Sequence, residues 1–226
     1  RLRIRFAKTG AMALLSHLDL MRMLERALRR SGLPISFTGG FHPLPRIQIA
    51  LALPLGAEAH SEWMDLEFTE TLPEAHLIDR LQPLLPAGIN LLECRQVPVS
   101  GPSLSQRITA AVWSFDLFLE AENNRDVAPV DWSAAVGAVV ASESLIWHDT
   151  DKKGRPRQRD CRPSLQALEC LGSPQELRIR LRLKAEVDAM GRSIRPMQIQ
   201  HWLTEHLQCS IGMDRLCRDG LLLSEC

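Results

Sequence analysis

The chain has 226 residues, 27 Lys and Arg against 27 Asp and Glu, 45% apolar residues and 24% charged ones. That is room for one large domain or two small ones, with the make-up of a globular protein rather than a disordered or fibrous one. No apolar run approaches the ~20 residues that span a bilayer, no signal-peptide pattern opens the sequence, and a net charge of zero selects no partner.

In chain order, residues 1–6 (RLRIRF) alternate Arg1, Arg3, Arg5 with Leu2, Ile4, Phe6, the period of a half-buried strand. Arg1 already lies inside that pattern, so the chain is read as a segment of a longer one or a trimmed form of it. Ser16 followed by Asp19 resembles a capping box, and Gly32 is a natural stop for the helix between them. Its apolar stripe is Leu18, Met21, Leu24 and Leu28, widened by Leu20, Met23 and Ala27, with Arg22, Arg26, Arg29 and Arg30 opposite. Strands are expected at 35–38, 47–54 and 63–68, a helix at 73–88 and a strand at 89–98. This is the β-α-β-β-α-β order of a ferredoxin-like domain.

Residues 99–106 form a Ser/Pro/Gly linker, placing domains at 1–98 and 111–226 with a linker over 99–110. The same order then recurs: strand 112–120, helix 132–142, strand 145–149, a basic hairpin over 151–163 with its turn at Lys153-Gly154, strand 176–184, helix 195–207 and strand 209–217. The expected fold is α+β, two tandem ferredoxin-like halves whose antiparallel sheets carry helices on one face and leave the other open.

That open face carries the first functional candidate. Arg178, Arg180, Arg182 and Lys184 share one side of their strand, as Arg1, Arg3 and Arg5 do on theirs. Guanidinium rows suit phosphate oxygens, and solvated rows paired with neighbouring acids are the bland alternative. From Lys152 to Arg162 six basic residues face one acid, making Lys152, Lys153, Arg155 and Arg157 further RNA-binding candidates. With no Tyr and no interleaved aromatics, bound RNA is expected to be held by charge and loop contacts. Asp65 and Glu67 alternate on one strand face, as a cation site or a solvated acidic edge.

The second candidate is the octet GGFHPLPR, residues 39–46. Gly39 and Gly40 permit unusual backbone angles while Pro43 and Pro45 hold the chain extended, so the loop presents Phe41, His42 and Arg46. With His17 at the first turn of the first helix, two histidines and Arg46 suffice for metal-independent RNA cleavage. The alternative is that His17 bonds near a helix start and His42 braces the loop, and this is preferred, leaving no catalytic residue. His201 and His206, five apart, do not share a helix face. The six cysteines have neither zinc nor cluster spacing and read as reduced thiols, so no metal and no cofactor is expected in this chain.

The segment KTGAMALLSHLDLMRMLERALRRSGLPISFTGGFHPLPRIQIALALPLG resembles the radical-SAM-associated domain of unknown function, found attached to or encoded beside cobalamin-binding-type radical SAM proteins. SHLDL, GFHPLPR and ALPLG carry the likeness, and KKGRPRQRDCRP and SIRPMQIQHWL extend it into the second half. The resemblance implies a cytoplasmic bacterial accessory module that recognises an RNA or other macromolecule. Its partner would be a radical SAM domain or protein carrying the iron–sulfur cluster and S-adenosylmethionine. A looser likeness, to CRISPR repeat-processing endoribonucleases, is weakened by the lack of a clear glycine-rich loop near the C-terminus. A protein–protein adaptor is the third reading.

Overall fold

The computed structural model describes residues 1–120, 130–151, 153–172 and 177–224. It is a mixed α+β chain with four α-helices among the described residues, and every strand register described is antiparallel. No helix among these residues is long and apolar enough to cross a membrane. Two compact units divide it: 1–108 with 218–226, and 109–217.

In the first unit, β1 (Leu2–Lys8), α1 (His17–Ser31), β2 (Ile47–Ile49), β3 (Glu58–Leu66), α2 (Glu74–Leu81) and β4 (Ile89–Gln96) follow one another. β1 lies between β4 and β3, and β2 flanks β3, which sets Ile4 opposite Met64 and Cys94. Leu2, Ile4 and Phe6 pack with Leu20, Leu24, Ala27 and Leu28 of α1 and with Leu77 and Leu81 of α2. Both helices therefore cover the same sheet face. Ser16 caps α1 by accepting from the Asp19 amide, and Gly32 ends it at φ +68°, as the capping pattern requires. Leu18 departs from the expected stripe: it is 65% exposed, and the buried seam runs through Leu20, Leu24 and Leu28.

In the second unit, β5 (Ile108–Leu119) pairs with β9 (Arg178–Glu186), which pairs with β8 (Leu165–Cys170). β10 (Ile211–Leu223) lies on the other side of β5. Helices α3 (Trp132–Ala141) and α4 (Pro196–Leu207) bury Val136, Val139, Ile199 and Leu203, while β5 and β9 bury Phe115, Leu117, Ile179 and Leu181. The basic hairpin exists as a separate ribbon, β6 (Ile146–Thr150) with β7 (Pro156–Asp160), turning through Gly154 at φ +76°.

Several expectations change. The strand expected at 35–38 is reduced to isolated bridges at Ile35 and Phe37, the strand expected at 47–54 shrinks to Ile47–Ile49, and the α-helix expected over 73–88 ends at Leu81. The strand expected at 145–149 pairs in the ribbon instead of the main sheet, β8 is an additional strand, and β10 runs on to Leu223 instead of stopping at 217. The boundary moves with β10, because Arg218 makes its partners in the first unit.

Candidate nucleic-acid interface

The octet sits in a small closed turn. Phe37 bridges Pro45, the Thr38 amide donates to the Leu44 carbonyl at 2.8 Å, and the Arg46 amide donates to the Ser36 carbonyl at 2.9 Å. Gly40 takes φ +106°, a conformation other residues avoid. Two guanidinium groups hold the turn from outside. Arg29 of α1 donates to the Pro43 carbonyl at 2.8 Å and lies 5.0 Å over the Phe37 ring, and Arg46 donates to the Phe37 carbonyl at 3.2 Å. At the tip, Phe41 is fully exposed and His42 faces solvent. The exposed face of α1 continues from Arg29 through Arg26 and Arg22 to Leu18, spaced along one stripe of the helix.

The two histidines are not brought together. His17 is the first residue of α1 and its Nδ1 is enclosed without a hydrogen-bond partner, whereas the loop that carries His42 is held through its Pro43 carbonyl by Arg29, which lies twelve residues after His17, about 18 Å along the helix axis. Arg46 sits with its guanidinium 3.7 Å from Glu67.

The arginine rows are largely committed to carboxylates. Arg3 stands opposite Asp65 in the β1–β3 register and forms a buried two-pronged pair with it at 2.8 and 2.9 Å, so it does not reach solvent as expected. Arg1 meets Glu67 at 2.6 Å and Arg5 meets Glu93 at 3.0 Å. Asp65 and Glu67 thus have their cation, and it is guanidinium. In the second unit Arg180 grips buried Asp116 at 2.6 and 3.0 Å while Arg178 reaches Asp214 at 3.0 Å. The hydrogen bond from Arg180 holds Asp116 below the usual carboxylate range despite its burial. Arg182 is exposed and stands opposite Glu169.

The ribbon is likewise half neutralised. Arg157 binds Asp149 at 2.8 and 2.6 Å, and Arg155 binds Asp151 at 2.8 Å. Lys153 is exposed at the turn, and Lys152 lies outside the described residues.

A buried polar cluster that sequence patterning missed lies in the first unit. Arg218 donates to both oxygens of Glu62 at 2.6 Å and to the carbonyls of Leu51 and Ala52, and Lys8 donates to the carbonyls of Ala13 and Leu15. Burial pushes Glu62 up, with Arg218 opposing it, and burial pushes the Lys8 amine down. A cavity of about 10 Å³, room for one water molecule, lies among Lys8, Glu62, His17 and the apolar Phe6, Leu20 and Leu53.

A family model described as an uncharacterized protein conserved in bacteria, DUF2344, matches residues 1–196. This chain belongs to the DUF2344 family. No curated protein matches it. Among solved structures it is similar to a chain of a Cbf5-Nop10-Gar1 complex, with a TM-score of 0.54 at 12% identity. The likeness covers 96% of this chain and 47% of that one, so the DUF2344 chain spans about half the length of its structural neighbour. At that identity the likeness concerns the fold.

Within this DUF2344 chain the buried cluster ties local backbone segments to the first unit's core. Lys8 fixes the turn that leads into α1, and Arg218 fixes the segment after β2. A lone buried Lys at the end of a strand was the one signal available, since a buried amine requires acceptors.

Proposed function

We propose that this chain is an RNA-recognition module with no catalysis of its own, serving a radical SAM enzyme whose domain carries the cluster and S-adenosylmethionine. Each unit is read as ferredoxin-like, on the strand orders β4-β1-β3-β2 and β10-β5-β9-β8. The observation that carries the reading is the loop tip: an exposed Phe41 beside His42, on a turn pinned by Arg29 and continued by Arg26 and Arg22. An exposed aromatic next to guanidinium groups offers an unpaired base a stacking surface and its phosphates a counter-charge.

Fluorescence anisotropy with a structured RNA tests it. Affinity falls with rising salt, and His42→Ala and Phe41→Ala weaken binding while the wild type leaves the RNA intact. Metal-independent cleavage lost in both His17→Ala and His42→Ala replaces this reading with the nuclease. A second reading, the protein adaptor, is favoured by the 72, 65 and 66% exposure of Leu14, Leu18 and Leu55, and it gains if no RNA binds at any salt.

A further inference from the structure

The face of the first unit's sheet that α1 and α2 leave uncovered carries a groove of about 580 Å³, lined by Arg5 of β1, Trp63 of β3, Glu93 and Arg95 of β4, and Leu221 and Leu222 of β10. Alternation puts Trp63 there. Met64 and Leu66 point into the core with the two helices, so Trp63, one residue out of phase, points to the other side. Its indole is held in place: Nε1 donates to the Leu221 carbonyl at 3.2 Å, and Arg5 stands directly opposite it in the β1–β3 register. Arg95 reaches across β1 and lies 5.4 Å over the ring. Arg1, Arg3 and Arg5 each meet a carboxylate on this face, whereas exposed Arg95 meets none among the described residues.

We infer that this groove holds one unpaired base of the bound RNA, stacked on the Trp63 indole and covered by the Arg95 guanidinium. The inference rests on the RNA-recognition reading and adds a second contact to it, because the groove and the α1 stripe lie on opposite faces of the sheet. A planar base offers a π face to each partner: the indole stacks against one side and the guanidinium caps the other. Arg95 makes room by lifting on its long stem, since no carboxylate holds it. The Arg5–Glu93 pair, joined at 3.0 Å through Nε and Oε2, leaves guanidinium donors and one carboxylate oxygen for the base edge. Charge complementarity selects the occupant. Arg5 and Arg95 against Glu93 leave the groove one positive charge, which suits a polyanionic strand. An apolar protein segment laid there would bury Arg95 without a partner, at the cost of a desolvated charge.

Fluorescence anisotropy of two labelled RNAs tests it: a hairpin carrying a single-stranded adenosine tail, and the same hairpin blunt-ended. Wild type is expected to bind the tailed RNA about tenfold more tightly. Trp63→Leu abolishes that preference and leaves the dependence on salt unchanged, because stacking releases no counterions. Tryptophan emission, quenched by the tailed RNA in wild type, loses that quenching in Trp63→Leu. Arg95→Gln weakens binding of the tailed RNA about threefold. Arg95 is exposed, so this variant carries the test if circular dichroism shows Trp63→Leu unfolded. RNA binding with no preference for the tail, or a preference that survives both variants, overturns the inference and leaves the loop reading standing. Adenosine monophosphate displacing the tail at equal affinity overturns it in favour of a free nucleotide. No RNA binding at any salt removes the RNA reading itself, and this inference with it.

Discussion

Arg218→Met removes the cation on which one buried acid and two backbone carbonyls depend. Glu62 is 2% exposed and Arg218 1%. Four hydrogen bonds go at once: two to the carboxylate and one each to the carbonyls of Leu51 and Ala52. Breaking a buried pair from one side costs about 3–5 kcal/mol, because the remaining charge has no water to return to. The loss depends on pH in a definite direction. Burial already raises Glu62 above its ordinary value, and without Arg218 opposing it the carboxyl rises further. A group raised in the folded state binds its proton there when the unfolded chain has released it. Its stabilisation is therefore complete below the ordinary value and fades as pH climbs through the raised one. The variant should consequently lose less at pH 5 than at pH 8. Amide exchange of the β3 segment, read by mass spectrometry at both pH values, measures the opening free energy of the first unit. Glu62→Leu combined with Arg218→Met recovers most of the deficit, since a well-packed apolar pair replaces a buried ion pair at little cost. A loss under about 1 kcal/mol for Arg218→Met, or one equal at both pH values, refutes the reasoning.

Arg180→Gln lowers the stability of the second unit at pH 7, and the difference from wild type closes as pH falls through the depressed value of Asp116, because protonated Asp116 has no use for the guanidinium. Urea denaturation between pH 3 and 7 measures this, and the same variant changes RNA affinity less than Arg26→Gln does. Gly88→Ala destabilises the first unit: Gly88 has φ +95° and a Cβ there runs into the Thr9 carbonyl, which a lower thermal midpoint reports.

Much of the fold is legible locally. The Ser16 cap, the Gly32 stop, the alternation of β1 and β9 and the Gly154 turn are each decided by neighbours within a few residues. What was not legible depends on register. The strand at 165–170 has weak alternation and becomes β8 only because β9 offers it an edge. The arginine rows illustrate the same limit for the site. Alternation correctly separates Leu2 and Ile4 from Arg3, yet nothing near Arg3 reveals that Asp65, 62 residues away, stands directly opposite it.

The same pairing bounds how strongly this chain can depend on salt. Arg1, Arg3 and Arg5 are engaged by Glu67, Asp65 and Glu93, and Arg178 and Arg180 by Asp214 and Asp116. What the proposed interface offers to phosphate is the α1 stripe: Arg26, Arg22 with a 3.4 Å contact to Asp19, and the part of Arg29 that Glu25 and Pro43 leave accessible. Three such cations on single-stranded RNA give a slope of log affinity against log salt of about −2, at roughly 0.7 per contact. A chain using both sheet rows and the ribbon as well would show a slope several units steeper. A shallow slope that Arg26→Gln reduces by about 0.7, with Arg180→Gln leaving it in place, is what α1 and the loop require. A steep slope sensitive to Arg178 and Arg180 instead means that RNA displaces Asp116 and Asp214 from their partners, and the interface then belongs on the second unit's sheet.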